Sequence, residues 1–318
     1  MLRVSALNVP LGQDAAGRAY QLALKALRVS AEQVAEWRVA KRSVDARDKG
    51  DVHFVFAVDI ALRIDEDRVL ARLKPGVASR VQPAMPLSPA AVSPRDPAPV
   101  VVGMGPCGLF AALYLVRAGL CPICLERGES VEGRSRTVQA FFDGGALNES
   151  SNVQFGEGGA GAFSDGKLTT GIKDPRCRQV LQTLYEHGAP ESILYLAHPH
   201  IGTDRLPGVV ADIRREIIAL GGQVIFGAQL TSLVLRDEQL QAIRYIREGE
   251  TRELPARQMI LAIGHSARDT FAALYEDGVR MEQKPFSMGV RIEHRQQLID
   301  RAQYGTFAGT PGLGAAEY

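Results

Sequence analysis

Three glycines and one acid carry the clearest chemistry in this 318-residue chain. Gly103, Gly105 and Gly108 form a G-x-G-x-x-G turn, with Pro106 and Cys107 between the last two glycines. Glu126 follows the turn by about 20 residues. A glycine turn that opens a helix presents free amides and the positive end of the helix dipole, a setting that favours a diphosphate. Gly103 permits the sharp exit from a strand. Gly105 lets backbone approach the pyrophosphate, and Gly108 lets the helix lie close on the sheet. Glu126 stands where a carboxylate takes ribose hydroxyls. Arg127 can lie over an adenine or a phosphate, and Arg134 is a second phosphate candidate.

The elements around the turn are those the chemistry needs. Val100–Val102 is a short apolar run, an apolar helix pattern follows to Gly119, and a second apolar run closes on Glu126. Strand, turn, helix, strand, acid is the order of a βαβ dinucleotide unit. Further on, helices are predicted from Asp174-Pro175 to His187 and from Pro207 to Leu220. Three strands, Gln223–Phe226, Leu230–Leu235 and Leu240–Arg247, read as a meander. An apolar run, Gln258–Ile263, then ends in Gly264. A strand returning to a central sheet with a small residue and glycine at its end lets backbone pass beside the cofactor. That pattern moves the expected cofactor from NAD to FAD.

The glycine-rich stretch 143–171 is expected to be an ordered functional loop. Gly158, Gly159 and Gly161 expose amides that can form an anion-binding concavity. Ser164 and Asp165 can bond flavin or substrate, and Lys167 can balance charge on a reduced flavin. No catalytic residue is assigned; Lys167, Asp165 and His294 are the candidates. Strand alternation over 288–294 places His294 on the face of Met288, Val290 and Ile292, where a core histidine is favoured over a proton carrier. His198, His200 and Asp204 lack a further ligand at metal spacing, so no metal is expected.

The chain divides by composition. Residues 75–97 are rich in proline and read as a linker. Before it, 1–74 shows strand, helix, strand, strand, consistent with a small α+β domain of ferredoxin-like type. After it, 98–318 reads as an FAD-binding domain with the beginning of an interleaved substrate domain. The expected fold class is α/β, a Rossmann-like FAD/NAD(P)-binding flavoprotein domain behind the N-terminal module.

Net charge is +1, which argues against a strong field for nucleic acid or anionic membranes. The basic stretch 41–49 is interleaved with Asp and has no stacking aromatics, so nucleic acid is not the expected partner. No apolar run reaches the roughly 18 residues of a spanning helix, and the first residues lack a signal-peptide pattern. Four cysteines without a disulfide framework fit a cytoplasmic location. Cys121 and Cys124 form a C-x-x-C pair away from a helix start, read as packing rather than redox chemistry.

The runs VVGMGPCGLFAALYLVRAG, SNVQFGEGGAGAFSDGKLTT (151–170), PHIGTD (199–204), LAIGHSARDTF (261–271) and GVRIEH (289–294) resemble the bacterial FAD-dependent dehydrogenases of the NAD(P)/FAD-dependent oxidoreductase group. A weaker likeness extends through SVDAR (43–47). The resemblance implies an FAD enzyme moving hydride through its flavin, with NAD(P)H or an organic compound as donor and a small molecule as substrate. It also implies that members continue beyond this chain's end, with the rest of the substrate domain and a last cofactor-binding segment. Two other readings share the fold: a flavin-dependent RNA-modifying or lipid-reducing enzyme, and a non-catalytic dinucleotide sensor whose N-terminal module binds a protein partner.

Overall fold

Alternating apolar residues in the first sixty positions build an antiparallel sheet with one oily face. In the computed structural model, which describes residues 1–82, 89–93, 96–163, 166–290 and 292–317, the order is β1 (Leu2–Pro10), α1 (Ala15–Leu27), β2 (Val34–Asp45), β3 (His53–Leu62), α2 (Glu66–Ala71) and β4 (Ser79–Arg80). The sheet runs β2-β3-β1-β4, antiparallel throughout. Leu2, Val4, Phe54, Phe56, Val58 and Ile60 pack with Ala19, Ala23 and Leu27 of α1. Asp14 caps α1, accepting from the Gly17 amide at 3.2 Å. Alternation turns Asp59 to the other face. There it is fully buried, held by Arg3 at 2.6 and 2.9 Å and by Arg38 at 3.3 Å.

The glycine turn belongs to a second unit. It contains β5 (Val100–Val102), α3 (Pro106–Arg117), β6 (Ile123–Glu126), α4 (Val131–Phe142), α5 (Arg176–Glu186), α6 (Leu206–Ala219), β7 (Gln223–Phe226), β8 (Ala228–Arg236), β9 (Gln239–Arg247), β10 (Glu250–Pro255), β11 (Met259–Leu261) and α7 (Arg268–Glu276). A parallel sheet runs β11-β5-β6-β7, and an antiparallel sheet runs β10-β9-β8. Counting the parallel strands by sequence, the first lies between the second and the fourth. Chain direction across the sheet therefore reverses between β5 and β11, the switch point at which open α/β sheets bind ligands.

Several expectations change. Gln223–Phe226 is not the first meander strand: it pairs in parallel with β6, because α6 carries the chain back over the sheet as a crossover. The meander's third strand is Glu250–Pro255. The N-terminal module extends into the expected linker, where Ser79–Arg80 pairs with β1. Of the remaining proline-rich stretch, 83–88 and 94–95 lie outside the described residues. Compactness divides the chain into Met1–Met85, Glu191–Pro199 and Phe286–Tyr318 in one unit, and Pro86–Pro190 with His200–Pro285 in the other. The outlying segments join the first unit through real contacts. The Arg42 amide donates to Tyr195 O at 2.7 Å. In the final segment, which holds α8 (Gln296–Tyr304), Tyr304, Leu313 and Ala316 enter that unit's core.

Among the described residues of 288–294 the expected strand is not seen. Met288 and Val290 are 87% and 94% exposed, and His294 is exposed rather than a core histidine. Alternation alone does not make a strand; the backbone must also enter a sheet ladder.

Candidate functional site

The C-terminal ends of β5, β6 and β11 open into a cleft of about 510 Å³. Its geometry starts with hydrogen bonds between the strand ends: Gly103 N–H donates to Leu125 O at 2.7 Å, and Ala262 N–H to Val102 O at 2.8 Å. Gly103 has φ +96°, and a Cβ there would lie 2.4 Å from Ala262 O. At Gly108 a Cβ would lie 1.7 Å from Gly103 O. These two glycines are demanded by the protein itself.

Gly105 differs. It has φ −68° as the residue before α3, and a Cβ there would meet nothing nearer than Gly159 Cα at 3.8 Å. Pro106 takes the first helical position, where its missing N–H costs nothing. The first helical bond runs from Leu109 N–H to Gly105 O at 2.9 Å, so the Cys107 and Gly108 amides have no carbonyl within the helix. Gly105, Pro106, Cys107 and Glu126 all line the cleft. Glu126 is 5% exposed; its Oε2 accepts from the Met104 amide at 2.7 Å and its Oε1 from the Gly128 amide at 2.9 Å.

Arg127 also lines the cleft. Its Nη2 donates to both Asp269 oxygens at 2.8 and 2.9 Å and to Thr270 Oγ1 at 3.1 Å, and its guanidinium lies 4.8 Å above the Phe155 ring. Burial works against the Asp269 carboxylate, but bonds from Arg127 and the Thr270 amide prevail and hold its pKa below the usual value.

Arg134 is not a phosphate ligand here. It is wholly buried and turned inward, donating to the carbonyls of Asn152, Val153, Gly156, Glu157 and Gly159 at 2.6–3.3 Å. Burial pushes its pKa down to about 10, against the pull of Glu126 and Glu157. Its fork clips the glycine-rich loop into shape. The Gly158 amide ties that loop to Met104 O at 2.8 Å. Beside it Glu157, also fully buried, accepts from the Val131 amide and from Arg214 Nε, each at 2.8 Å.

The glycines of this loop divide by role. Gly159 lines the cleft, whereas Gly158 faces Ala162 and Val210 and Gly161 stands outside the lining. Gly264 lines the cleft with φ +72° and open space around it. Lys167 is exposed, bridges through its backbone to His200 and is not part of the cleft wall. Ser164 and Asp165 lie outside the described residues.

A polar group at the cleft wall escaped the sequence reading: Gln154 Nε2 donates to Ser266 Oγ, which meets His265 Nδ1 at 2.6 Å. The sole signal was the run Gly264-His265-Ser266 after the returning strand. Among the cysteines, burial pushes the Cys124 thiol up to about 12, which removes it from nucleophilic chemistry at neutral pH. His198 faces Glu317 at 3.7 Å. Among the described residues no group of three or more His, Cys, Asp and Glu is placed to hold a metal, and no helix is long and apolar enough to cross a membrane.

Residues 285–318 match the family model described as "FAD-dependent protein, C-terminal domain-like", and residues 1–61 match a domain of unknown function, DUF8436. An uncharacterised protein of Clostridium beijerinckii is 44% identical over 321 residues, covering 100% of this chain. The chain spans 58% of that relative's length. Among solved structures, Thermovibrio ammonificans THI4 is similar with a TM-score of 0.39 and 16% identity, over 57% of this chain and 63% of that one. Glycerol-3-phosphate dehydrogenase from Bacillus halodurans, complexed with FAD, gives 0.36 and 13% identity, over 57% of this chain and 36% of that one.

Proposed function

We propose that the cleft holds the adenosine diphosphate half of FAD, and that the whole protein is an FAD-dependent oxidoreductase acting on a small molecule, with NAD(P)H as a donor class. Gly105 carries this reading. No neighbouring protein atom forbids a side chain there, yet the residue is glycine and faces the cleft beside two free helix amides. A ligand that must touch backbone explains it. The cleft volume lies within the range of cofactor sites.

Each residue then has a task. The Cys107 and Gly108 amides take the diphosphate. Glu126 spends one bond per oxygen on backbone, and the lone pairs left over accept ribose hydroxyls. Arg127, fixed by Asp269 and Phe155, forms the wall at the adenosine end. Gly159 and Gly264 keep backbone close to the ligand. When bound, FAD supplies hydride chemistry, and the protein supplies orientation and electrostatics. The match of 285–318 to an FAD-dependent family supports the same reading. The β-α-β-β-α-β order of the first unit supports a ferredoxin-like fold for it.

The test is a titration of the purified chain with FAD, followed by flavin fluorescence, with ADP and FMN as competitors. ADP should displace FAD, and FMN should bind about tenfold more weakly or worse. If wild-type chain binds neither FAD nor ADP, or prefers FMN, the reading fails.

A further inference from the structure

The first unit contains a separate cavity of about 310 Å³. Its floor is Phe54 and Phe56 of β3, 1% and 2% exposed, and the first turn of α1 forms one wall. Val39, Arg42, Gln13 and Tyr195 complete the polar and apolar sides. These positions are distant in sequence but tied in space. The Arg42 amide donates to Tyr195 O at 2.7 Å, and the Ala197 amide donates to Arg42 O at 3.0 Å. That pairing bridges Arg42 to Leu196 in parallel, and Tyr195, one residue before, lines the same cavity as Arg42.

Three polar residues that line this cavity have side chains without a hydrogen-bonding partner among the described residues. Among the described residues, the Arg42 guanidinium, the Tyr195 hydroxyl and the Gln13 amide make no hydrogen bond or ion pair. Arg42 is half-buried, its guanidinium 5.4 Å above the Phe54 ring. Elsewhere in the same unit, Arg3 has Asp59 and Arg80 has Glu66 and Asp67. Arg42 has an aromatic face and no anion. A guanidinium fork matches a carboxylate, and the Phe and Val surface suits an apolar body. One cation does not balance a phosphate dianion, so a monocarboxylate fits better.

We propose that this cavity is a binding site for a small aryl or arylalkyl monocarboxylate, with the carboxylate on Arg42 and Tyr195 and the ring over Phe54 and Val39. The site is independent of the FAD reading. Isothermal titration with phenylacetate tests it, using phenylacetamide and inorganic phosphate as comparisons and Arg42→Leu and Tyr195→Phe as variants. Phenylacetate should bind wild-type chain saturably at about millimolar or tighter. The amide, phosphate and Arg42→Leu combinations should each be about tenfold weaker. Tyr195→Phe keeps the charge and should give a smaller loss, which preserves the test if Arg42→Leu does not fold. Far-UV circular dichroism and FAD titration of both variants should match wild type. The proposal is overturned by absent saturable binding, by equal binding of phenylacetamide or phosphate, or by undiminished binding to both variants.

Discussion

The cleft and the first unit's cavity are built in opposite ways. Glycine turns shape the cleft, and the donors proposed for it are backbone amides at the end of a parallel sheet. The cavity is walled by side chains, and its key donor is the Arg42 guanidinium on an antiparallel sheet. A backbone site tolerates little change because turn, strand ends and loop share atoms. Gly103, for example, hydrogen-bonds β6 through its amide while its carbonyl lies under Gly108. A side-chain site can lose its ligand-binding group and leave the fold nearly untouched. The contrast also separates two kinds of glycine within one motif: Gly108 serves the fold, and Gly105, which the fold does not demand, is the one proposed to serve the ligand.

Substitutions can break or sharpen this contrast. Gly108→Ala forces a Cβ onto the Gly103 carbonyl and should destabilise the chain by about 4 kcal/mol or more in urea unfolding. Arg134→Met orphans the loop carbonyls and should remove about 3 kcal/mol, with limited proteolysis showing new cleavage near 152–159. Gly105→Ala should weaken FAD binding about tenfold, or 1.4 kcal/mol, while the urea midpoint stays at the wild-type value. A fall in stability comparable to that of Gly108→Ala would erase the distinction between the two glycines. Arg42→Leu should shift stability by no more than about 1 kcal/mol, since only its contact with Phe54 is lost.

The smallest effect concerns pH. Arg117 holds the Glu216 carboxyl below its ordinary 4.5; burial opposes this, and His187 adds to it. A lowered folded pKa contributes stability that is complete above 4.5 and lost as pH falls through the lowered value. Glu216 joins α3, through Arg117, to the cleft's supporting helix α6. Glu216→Gln should therefore flatten the acid side of the urea-midpoint profile, by about 0.5 kcal/mol because solvent screens the pair.

The elements near the cleft were legible because their signals are local. Val100–Val102, the glycine turn and Ile123–Glu126 lie within thirty residues, and each depends on the periodicity or backbone freedom of its own segment. The role of Arg134 was not legible: an arginine near a phosphate turn reads the same whether it faces ligand or loop, and only packing chose the loop. The alternation over 288–294 reads as a strand, yet sheet partners, which sequence does not display, decide whether one forms.

By itself the sequence determined the βαβ turn, because steric limits at Gly103 and Gly108 and the order of apolar runs are properties of neighbouring residues. Tertiary structure alone decided which polar groups were left over. Arg134 was consumed by five carbonyls, whereas Arg42 met a phenyl ring and, among the described residues, no acceptor. The reason is physical: hydrogen-bond satisfaction is settled among atoms that the fold brings together, such as residues 42, 54 and 195, across separations that no local pattern spans.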